Sequence, residues 1–176
     1  MRAEPHVFWL TGLPASGKTT LARALVAQLQ AQGLQAICLD GDELRKGLCS
    51  DLGFDAASRK ENLRRAGEVA RLLHGAGLSV VGAFVSPFSA DRAQVRQLFA
   101  PPHFSEVHLS TPVEECMRRD PKGLYAKAKR GELSGLTGWD APYEPPTAAE
   151  FTFNSAAMSS ADMVDLLQSR LFESLP

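Results

Sequence analysis

The sequence has little cysteine, almost no net charge and no long apolar run. Its three cysteines, Cys38, Cys49 and Cys116, share no C-x-x-C spacing, so neither a disulfide framework nor a zinc site is indicated. We interpret them as reduced thiols and leave open a redox role for Cys49, which we expect to be exposed. The formal net charge is −1 and no long basic run is present, which argues against nucleic acid as the main partner.

Membrane and secretory features are missing as well. No apolar stretch approaches the roughly 20 residues that a membrane-spanning helix needs, so we expect no membrane partner. The segment from Met1 to His6 lacks the charged-then-apolar pattern of a secretory signal, which predicts a cytoplasmic protein. The 176 residues, 44% of them hydrophobic, contain no internal repeat and predict a single domain over residues 1–176.

Short apolar runs alternate with helical patterns along the chain. Such runs are typical of a parallel sheet that helices cover on both faces. We predict strands at Val7 to Leu10, Ala36 to Leu39, Ser79 to Val85 and Glu106 to Leu109. The helical patterns are Leu21, Leu25 and Leu29; Leu63, Ala66, Ala70 and Leu73; and Asp162 to Leu171.

Two capping boxes and one loop complete this prediction. Ser58 to Glu61 fits the start of the second helix, and Thr111 to Glu114 fits the start of another, with Pro112 at the first helical position. From Gly131 to Pro146 the periodicity is lost and glycine and proline accumulate, which predicts a long loop. Long loops of this kind often act as lids over a binding site.

Residues Gly12 to Thr19 read Gly-Leu-Pro-Ala-Ser-Gly-Lys-Thr, a complete phosphate-binding loop between a predicted strand and a predicted helix. The glycines let amide N–H groups surround a phosphate chain, Lys18 reaches the β- and γ-phosphates, and the Thr19 hydroxyl binds Mg²⁺. The alternative is a chance glycine-rich turn, which the flanking patterns disfavour. The candidate ATP-binding residues are Gly12, Pro14, Ala15, Ser16, Gly17, Lys18, Thr19 and Thr20.

A second polar group follows the second predicted strand. Asp40, Asp42 and Arg45 lie at its carboxyl end, where open α/β sheets bind ligands. One carboxylate suits Mg²⁺ through water, and the other suits orientation of an acceptor hydroxyl. Taken alone, Asp-Gly-Asp is as often a turn with solvated acids.

Further motifs follow in order. They are Asp51-Leu52-Gly53-Phe54, Arg59-Lys60-Glu61-Asn62, Val85-Ser86-Pro87-Phe88, Asp91-Arg92, Arg119-Asp120-Pro121-Lys122-Gly123-Leu124-Tyr125, Leu136-Thr137-Gly138 and Pro142-Tyr143-Glu144. With the loop and the Asp-Gly-Asp turn, this succession closely resembles the adenylylsulfate kinases over about residues 7 to 150. The resemblance implies a three-layer α/β P-loop kinase fold with a mostly parallel sheet.

The resemblance also implies a reaction, in which the γ-phosphoryl group of ATP passes to the 3′-hydroxyl of adenosine 5′-phosphosulfate (APS) to give PAPS and ADP. Mg²⁺ serves as cofactor, through Thr19 and Asp40. The resemblance also implies that the chain forms a homodimer. Separately, it implies ATP sulfurylase as a functional partner. The implied catalytic residues are Lys18, Asp40, Asp42 and Ser86. The implied APS-binding residues are Asp42, Arg45, Phe54, Arg59, Asn62, Val85, Ser86, Lys122 and Leu136. Arg119 is a candidate to cover the adenine of ATP.

Three departures from the family pattern stand out. Glu43 replaces the usual asparagine, Trp139 replaces a smaller aliphatic residue, and the segment from Phe151 to Ser155 differs from an aliphatic strand ending in Asp-Thr. Two other functions therefore stay open at this point. One is a small-metabolite P-loop kinase acting on a sugar acid or shikimate, and the other is a nucleotide-binding module without catalysis.

Overall fold

The computed structural model describes residues 4–173 and builds them around a five-stranded sheet in the order β2-β3-β1-β4-β5. All four strand pairings are parallel. The strands are β1 (Val7–Gly12), β2 (Ala36–Asp40), β3 (Ser79–Ala83), β4 (Phe104–Leu109) and β5 (Phe151–Phe153). The helices are α1 (Lys18–Ala31), α2 (Gly41–Lys46), α3 (Ala56–Gly75), α4 (Ser89–Arg96), α5 (Val113–Arg119), α6 (Leu124–Lys129) and α7 (Ser160–Glu173).

The central strand β1 is buried on both faces. Phe8 and Leu10 pack with α1 and α7 on one side of the sheet, and Val7 and Trp9 pack with α3 and α4 on the other. Successive side chains of a strand point to opposite faces, so two hydrophobic layers require apolar residues at every position. The three-layer α/β fold predicted from the sequence is thereby confirmed.

Several predicted boundaries change. The strand β3 ends at Ala83 rather than Val85, because the chain turns at Ser86, which has a φ of 45°. The strand β4 begins at Phe104, and the three-residue β5 was not predicted as a strand of this chain. The loop from 131 to 146 contains no helix or regular strand, as predicted.

Both predicted capping boxes are wrong. The helix α3 begins at Ala56, where the Asp55 carboxylate accepts hydrogen bonds from the amide and hydroxyl of Ser58. The helix α5 has Pro112 as its N-cap, without a side-chain cap. Thr111 instead donates to the carbonyl of Ser16, 3.2 Å away, so its hydroxyl joins the phosphate-binding loop to the sheet.

The expectation of an exposed Cys49 is also wrong. Cys49 is fully buried, and burial raises the pKa of its thiol, which disfavours the reactive thiolate. The three cysteines are free thiols. Among residues 4–173, no helix is both long and apolar enough to cross a membrane.

His6 precedes β1 at the amino end of the sheet and is only 5% exposed. Its Nε2 lies 2.8 Å from Ser105 Oγ. Burial lowers the pKa of His6 from 6.5 to about 4, with a smaller contribution from the positive charge of Arg170. The unfolded chain therefore binds a proton at a higher pH than the folded chain, and stability is lost as pH falls from 6.5 towards 4.

We predict that protonation of His6 in the unfolded chain lowers the free energy of unfolding by about 2 kcal/mol as the pH falls from 7 to 5. His6→Gln keeps a polar partner for Ser105 but does not titrate, so its stability should fall by correspondingly less over the same range. Urea unfolding of both proteins at the two pH values measures the difference. An equal loss of unfolding free energy in both proteins would show that His6 does not cause the loss of stability at acidic pH.

Candidate active site

The phosphate-binding loop joins β1 to α1 at the carboxyl edge of the sheet. A Cβ atom at Gly12 would lie 2.7 Å from the carbonyl oxygen of Leu109, so only glycine fits this strand end. Gly17 has a φ of 99° and is the N-cap of α1. The loop thus directs the positive end of α1 into the cavity beside it, which favours an anionic ligand.

Lys18 folds back over this loop. Its Nζ donates to the carbonyl oxygens of Gly12, at 2.8 Å, and Leu13, at 2.7 Å. The residue is only 9% exposed, and burial lowers its pKa to about 8. An incoming phosphate would favour the charged form, because a nearby negative charge raises a lysine pKa.

Thr19 and Asp40 form an oxygen-rich pair beside Lys18. The Thr19 hydroxyl donates to Asp40 Oδ2 at 2.7 Å, while Oδ1 of the same carboxylate caps α2 by accepting from the amide of Asp42. Because Thr19 gives its hydrogen to Asp40, its oxygen lone pairs stay available for a cation. Hydroxyl and carboxylate oxygens fit a hard divalent ion. Across residues 4–173, no cluster of three or more His, Cys, Asp or Glu side chains offers another metal site.

Asp42 forms an ion pair with Lys122, which lies between α5 and α6. Both side chains are more than half exposed, at 59% and 57%. Each group therefore stays accessible to a ligand, and exchange of partners costs little because an exposed ion pair is weak. The pair spans 80 residues of sequence and connects two sides of the cavity mouth.

Arg45 and Phe54 form the outer wall of the cavity. The Phe54 ring is 66% exposed, so it is no core residue, and the Arg45 guanidinium carbon lies 4.3 Å from its centre. Arg45 also donates to the carbonyl oxygens of Leu52 and Gly53, which fixes the segment that carries Phe54. The aromatic ring is thus held by a cation on one side, in a stacked arrangement typical of arginine.

Arg59 connects this wall to the long loop. Its Nε donates to the carbonyl of Phe54 at 2.6 Å, and Nη2 donates to the carbonyl of Gly135 at 2.7 Å. Nη1 donates to Thr137 Oγ1 at 3.1 Å. One guanidinium therefore joins α3, the Phe54 segment and the loop from 131 to 146.

Asn62 points an unpaired polar atom into the same region. The residue is 5% exposed and lines the cavity, and within residues 4–173 its Oδ1 has no hydrogen-bond partner. Buried polar atoms are seldom left unpaired in native proteins. A ligand N–H group at this position would supply the missing bond.

These groups surround one cavity of about 500 Å³. Of the residues predicted from the sequence, all but Gly12 and Ser16 line it. Gly12 lies beneath the loop against β4, and Ser16 is fully buried and uses its carbonyl to accept from Thr111 and Ser155. Ser16 thus acts through the shape of the loop.

Residues 4–154 of the chain match the sequence pattern of the adenylylsulphate kinase family. The chain belongs to the adenylylsulphate kinase family. It is 53% identical to the adenylyl-sulfate kinase of Shewanella pealeana over 164 residues, which are 93% of this chain and 80% of that relative. The family's use of ATP implies a divalent metal ion.

Solved structures agree with this family. The Mycobacterium tuberculosis APS kinase in complex with AMPPNP and APS superposes with a TM-score of 0.92 at 40% identity, over 98% of this chain and 100% of that one. A gluconokinase from Sinorhizobium meliloti gives a TM-score of 0.60 at 18% identity, over 98% and 94% of the two chains, and shows the fold alone. The alternatives of a sugar-acid kinase and a non-catalytic module are therefore not supported.

In this kinase, Arg119 lies on the phosphate-loop side of the cavity. Its Nη1 and Nη2 donate to the hydroxyl and carbonyl of Ser155, at 2.8 and 3.0 Å, and its Nε donates to Glu115. Ser155 in turn donates to the carbonyl of Ser16 at 2.8 Å. A flat guanidinium is thereby fixed next to the loop.

Other groups of the kinase site had no role assigned from the sequence. Hydrogen bonds fix the chain around Ser86, and they come from Trp9, Thr11 and Arg92. The Tyr143 hydroxyl lies 3.0 Å from Thr11 Oγ1. Arg92 and Tyr143 lie within the motifs that carry the resemblance, but no local pattern shows which distant groups they contact. The cavity also includes Phe84, Pro87 and Thr137.

Lys18→Ala should lower turnover by roughly 10²- to 10³-fold, because it removes a cation placed where charge develops on the transferring phosphoryl group. ADP release measured against the control Lys127→Ala, on α6 outside the cavity, separates this effect from a general loss of positive charge. Circular dichroism checks that both variants fold. Near-normal turnover of a folded Lys18→Ala protein would show that Lys18 does not contribute to catalysis.

Proposed function

We propose that the two halves of this cavity bind the two substrates of the reaction, with the phosphoryl group crossing between them near Asp42. The enzyme transfers the γ-phosphoryl group of ATP to the 3′-hydroxyl of APS and gives PAPS and ADP. The observation that carries the division is that one cavity is lined both by the phosphate loop with Lys18 and by an aromatic wall with Phe54.

The donor half holds the phosphates of ATP. Amide groups of the loop and the positive end of α1 contact the phosphate chain, and Lys18 exchanges its two carbonyl partners for phosphate oxygens. Thr19 and Asp40 would hold Mg²⁺, and the Asp40 carboxylate orients the Thr19 hydroxyl through the hydrogen bond between them. When bound, Mg²⁺ neutralises charge on the phosphates. Arg119 lies where it can cover the adenine ring of ATP.

The acceptor half holds APS. The exposed face of Phe54 suits stacking of a nucleobase, and the unpaired Oδ1 of Asn62 suits an N–H group on a base edge. Arg45 and Arg59 supply planar cationic donors for the 5′-phosphosulfate. Both already bond loop carbonyls, so their planes are oriented before the substrate arrives. Val85, Ser86 and Leu136 close the inner wall.

Asp42 orients the acceptor hydroxyl. Its carboxylate is exposed at the cavity, whereas the carboxylate of Asp40 is buried and bonded at both oxygens. This difference supports Asp42 as the group that meets the 3′-hydroxyl and Asp40 as the metal partner. Lys122, now paired with Asp42, can turn to the transferring phosphoryl group. Positioning and charge neutralisation dominate because phosphoryl transfer has a loose transition state.

Three further properties rest on family resemblance or on composition. We propose a homodimer, a functional link to ATP sulfurylase, which makes APS, and a cytoplasmic location. The three free thiols are compatible with a reducing compartment. Analytical ultracentrifugation measures the oligomeric state directly.

The acceptor specificity is tested by ADP release with a panel of compounds. With Mg²⁺ and ATP present, APS should give turnover at least 10²-fold above AMP, gluconate and shikimate, because only APS fills both the aromatic wall and the arginine pair. Excess chelator should abolish the reaction. A gluconate or shikimate rate above the APS rate would contradict the proposed function.

The division into halves predicts opposite effects of two substitutions. Phe54→Ala should weaken APS binding by roughly ten- to a hundredfold, through loss of stacking, and leave ATP affinity within about twofold. Arg119→Ala should weaken ATP binding by roughly three- to thirtyfold and leave APS affinity nearly unchanged.

Titration calorimetry with each nucleotide measures both effects, APS being titrated in the presence of ADP. Leu72→Ala is a matched control, because Leu72 is an exposed apolar residue of α3, 64% exposed, outside the cavity. It should change neither affinity. Equal weakening of both nucleotides by Phe54→Ala would refute the division.

A further inference from the structure

We infer that Trp9 is a positioning residue, which fixes the hydroxyl of Ser86 as a hydrogen-bond donor towards an oxygen of the acceptor nucleotide. This inference rests on the proposed function and adds to it the direction of one hydrogen bond, from the Ser86 hydroxyl to the acceptor nucleotide. It concerns a buried residue of β1 that lies outside the cavity lining.

The indole of Trp9 has a fixed position. Trp9 is fully buried, and its ring stacks on Phe84 with centres 4.6 Å apart and an angle of 13° between planes. On the neighbouring strand, Gly82 pairs with Trp9 in register, and a Cβ atom there would lie 2.8 Å from Trp9 Cε3. Because Gly82 has no side chain, the indole fits against its strand. In this position Trp9 Nε1 donates a hydrogen bond to Ser86 Oγ, 3.1 Å away.

The backbone of Ser86 is fixed independently. Its φ of 45° lies in the left-handed region, which a serine adopts only at a cost. The conformation is held from the opposite side by Arg92, whose Nη1 donates to the Ser86 carbonyl at 2.7 Å, and by Thr11, whose hydroxyl donates to the Val85 carbonyl at 2.7 Å. Such strain is typical of functional positions.

The chemistry of the indole determines the direction of the bond. An indole Nε1 only donates, so Ser86 Oγ accepts there and has its own hydrogen left to donate. Within residues 4–173, no group accepts that hydrogen, although Ser86 is only 2% exposed and lines the cavity. Its O–H therefore points to a ligand oxygen, which a phosphosulfate or a ribose supplies.

The same arrangement disfavours Ser86 as a nucleophile. One of the two lone pairs of Ser86 Oγ accepts the indole N–H, which lowers the nucleophilicity of the oxygen, and among the described residues no base contacts the hydroxyl. The function that we assign to Ser86 is to orient the acceptor, and the indole N–H of Trp9 restricts the directions in which its hydroxyl can donate.

A double-mutant cycle tests whether Trp9 acts through Ser86. The proteins are wild type, Trp9→Phe, Ser86→Ala and the double variant, and the measurement is kcat/KM for APS at saturating ATP. Phenylalanine keeps the aromatic packing on Phe84 and removes only the N–H donor with the second ring. Ser86→Ala should lower kcat/KM by roughly tenfold, as expected for one hydrogen bond to a charged oxygen.

Trp9→Phe should lower kcat/KM for APS by about the same factor, with KM for ATP within about twofold of wild type. The double variant should then be no worse than Ser86→Ala alone, within about twofold. Losses that multiply would show that Trp9 supports the fold only, and would overturn the inference. A wild-type enzyme that does not turn over APS would instead overturn the proposed function.

The bond itself is tested in a protein that keeps Trp9. In ¹⁵N-labelled protein the indole N–H signal of Trp9 should shift in Ser86→Ala and exchange with solvent faster. The signal of Trp139, the other tryptophan, 45% exposed, should stay unchanged, and Trp139→Phe assigns the two. An unmoved Trp9 signal would overturn the inference whatever the activity, even if Trp9→Phe failed to fold.

Discussion

The close approach of Gly12 to the carbonyl of Leu109 is the constraint on which the rest of the site depends. It lets β1 pair with β4 up to its last residue and then turn sharply, so that α1 begins only six residues later. The turn brings the carbonyl oxygens of Gly12 and Leu13 under Lys18, and it directs the end of α1 at the cavity. Because Gly12 has no Cβ, the sheet can join directly to the loop that we propose binds phosphate.

A buried arginine organises the opposite half. Arg92, 4% exposed, donates to Glu106 on β4 at 2.6 Å, to the carbonyl of Ser86 after β3, and to the carbonyl of Glu144 at the end of the long loop. Breaking such a buried pair leaves an uncompensated charge, which is costly. The far end of the loop is therefore anchored to the sheet, while Arg59 holds its middle. In the proposed function, these two arginines position the acceptor half, and Lys18 and Thr19 organise the donor half.

The sequence predicted what local patterns determine. The helix α1 follows from short-range periodicity and the glycine spacing, and the structure has it, whereas β1 continues to Gly12, two residues beyond its predicted end at Leu10. Local signals fail where two residues compete, as Asp55 and Ser58 do for the cap of α3, because either can accept the amide bonds. Contacts across long separations, such as that of Thr11 with Tyr143 over 132 residues, leave no trace in a local pattern. Resemblance therefore supplied the candidate site residues, but it did not show that Arg59 bonds both the Phe54 segment and the loop from 131 to 146.

A crystal structure with ADP, Mg²⁺ and APS bound together tests most directly how the two substrates share the cavity. We expect ADP phosphates on the loop amides, with Lys18 Nζ moved from the Gly12 and Leu13 carbonyls to phosphate. We expect the base of APS against Phe54 and its 3′-hydroxyl within hydrogen-bond distance of Asp42. APS bound on the loop side, with the face of Phe54 exposed to solvent, would contradict this arrangement.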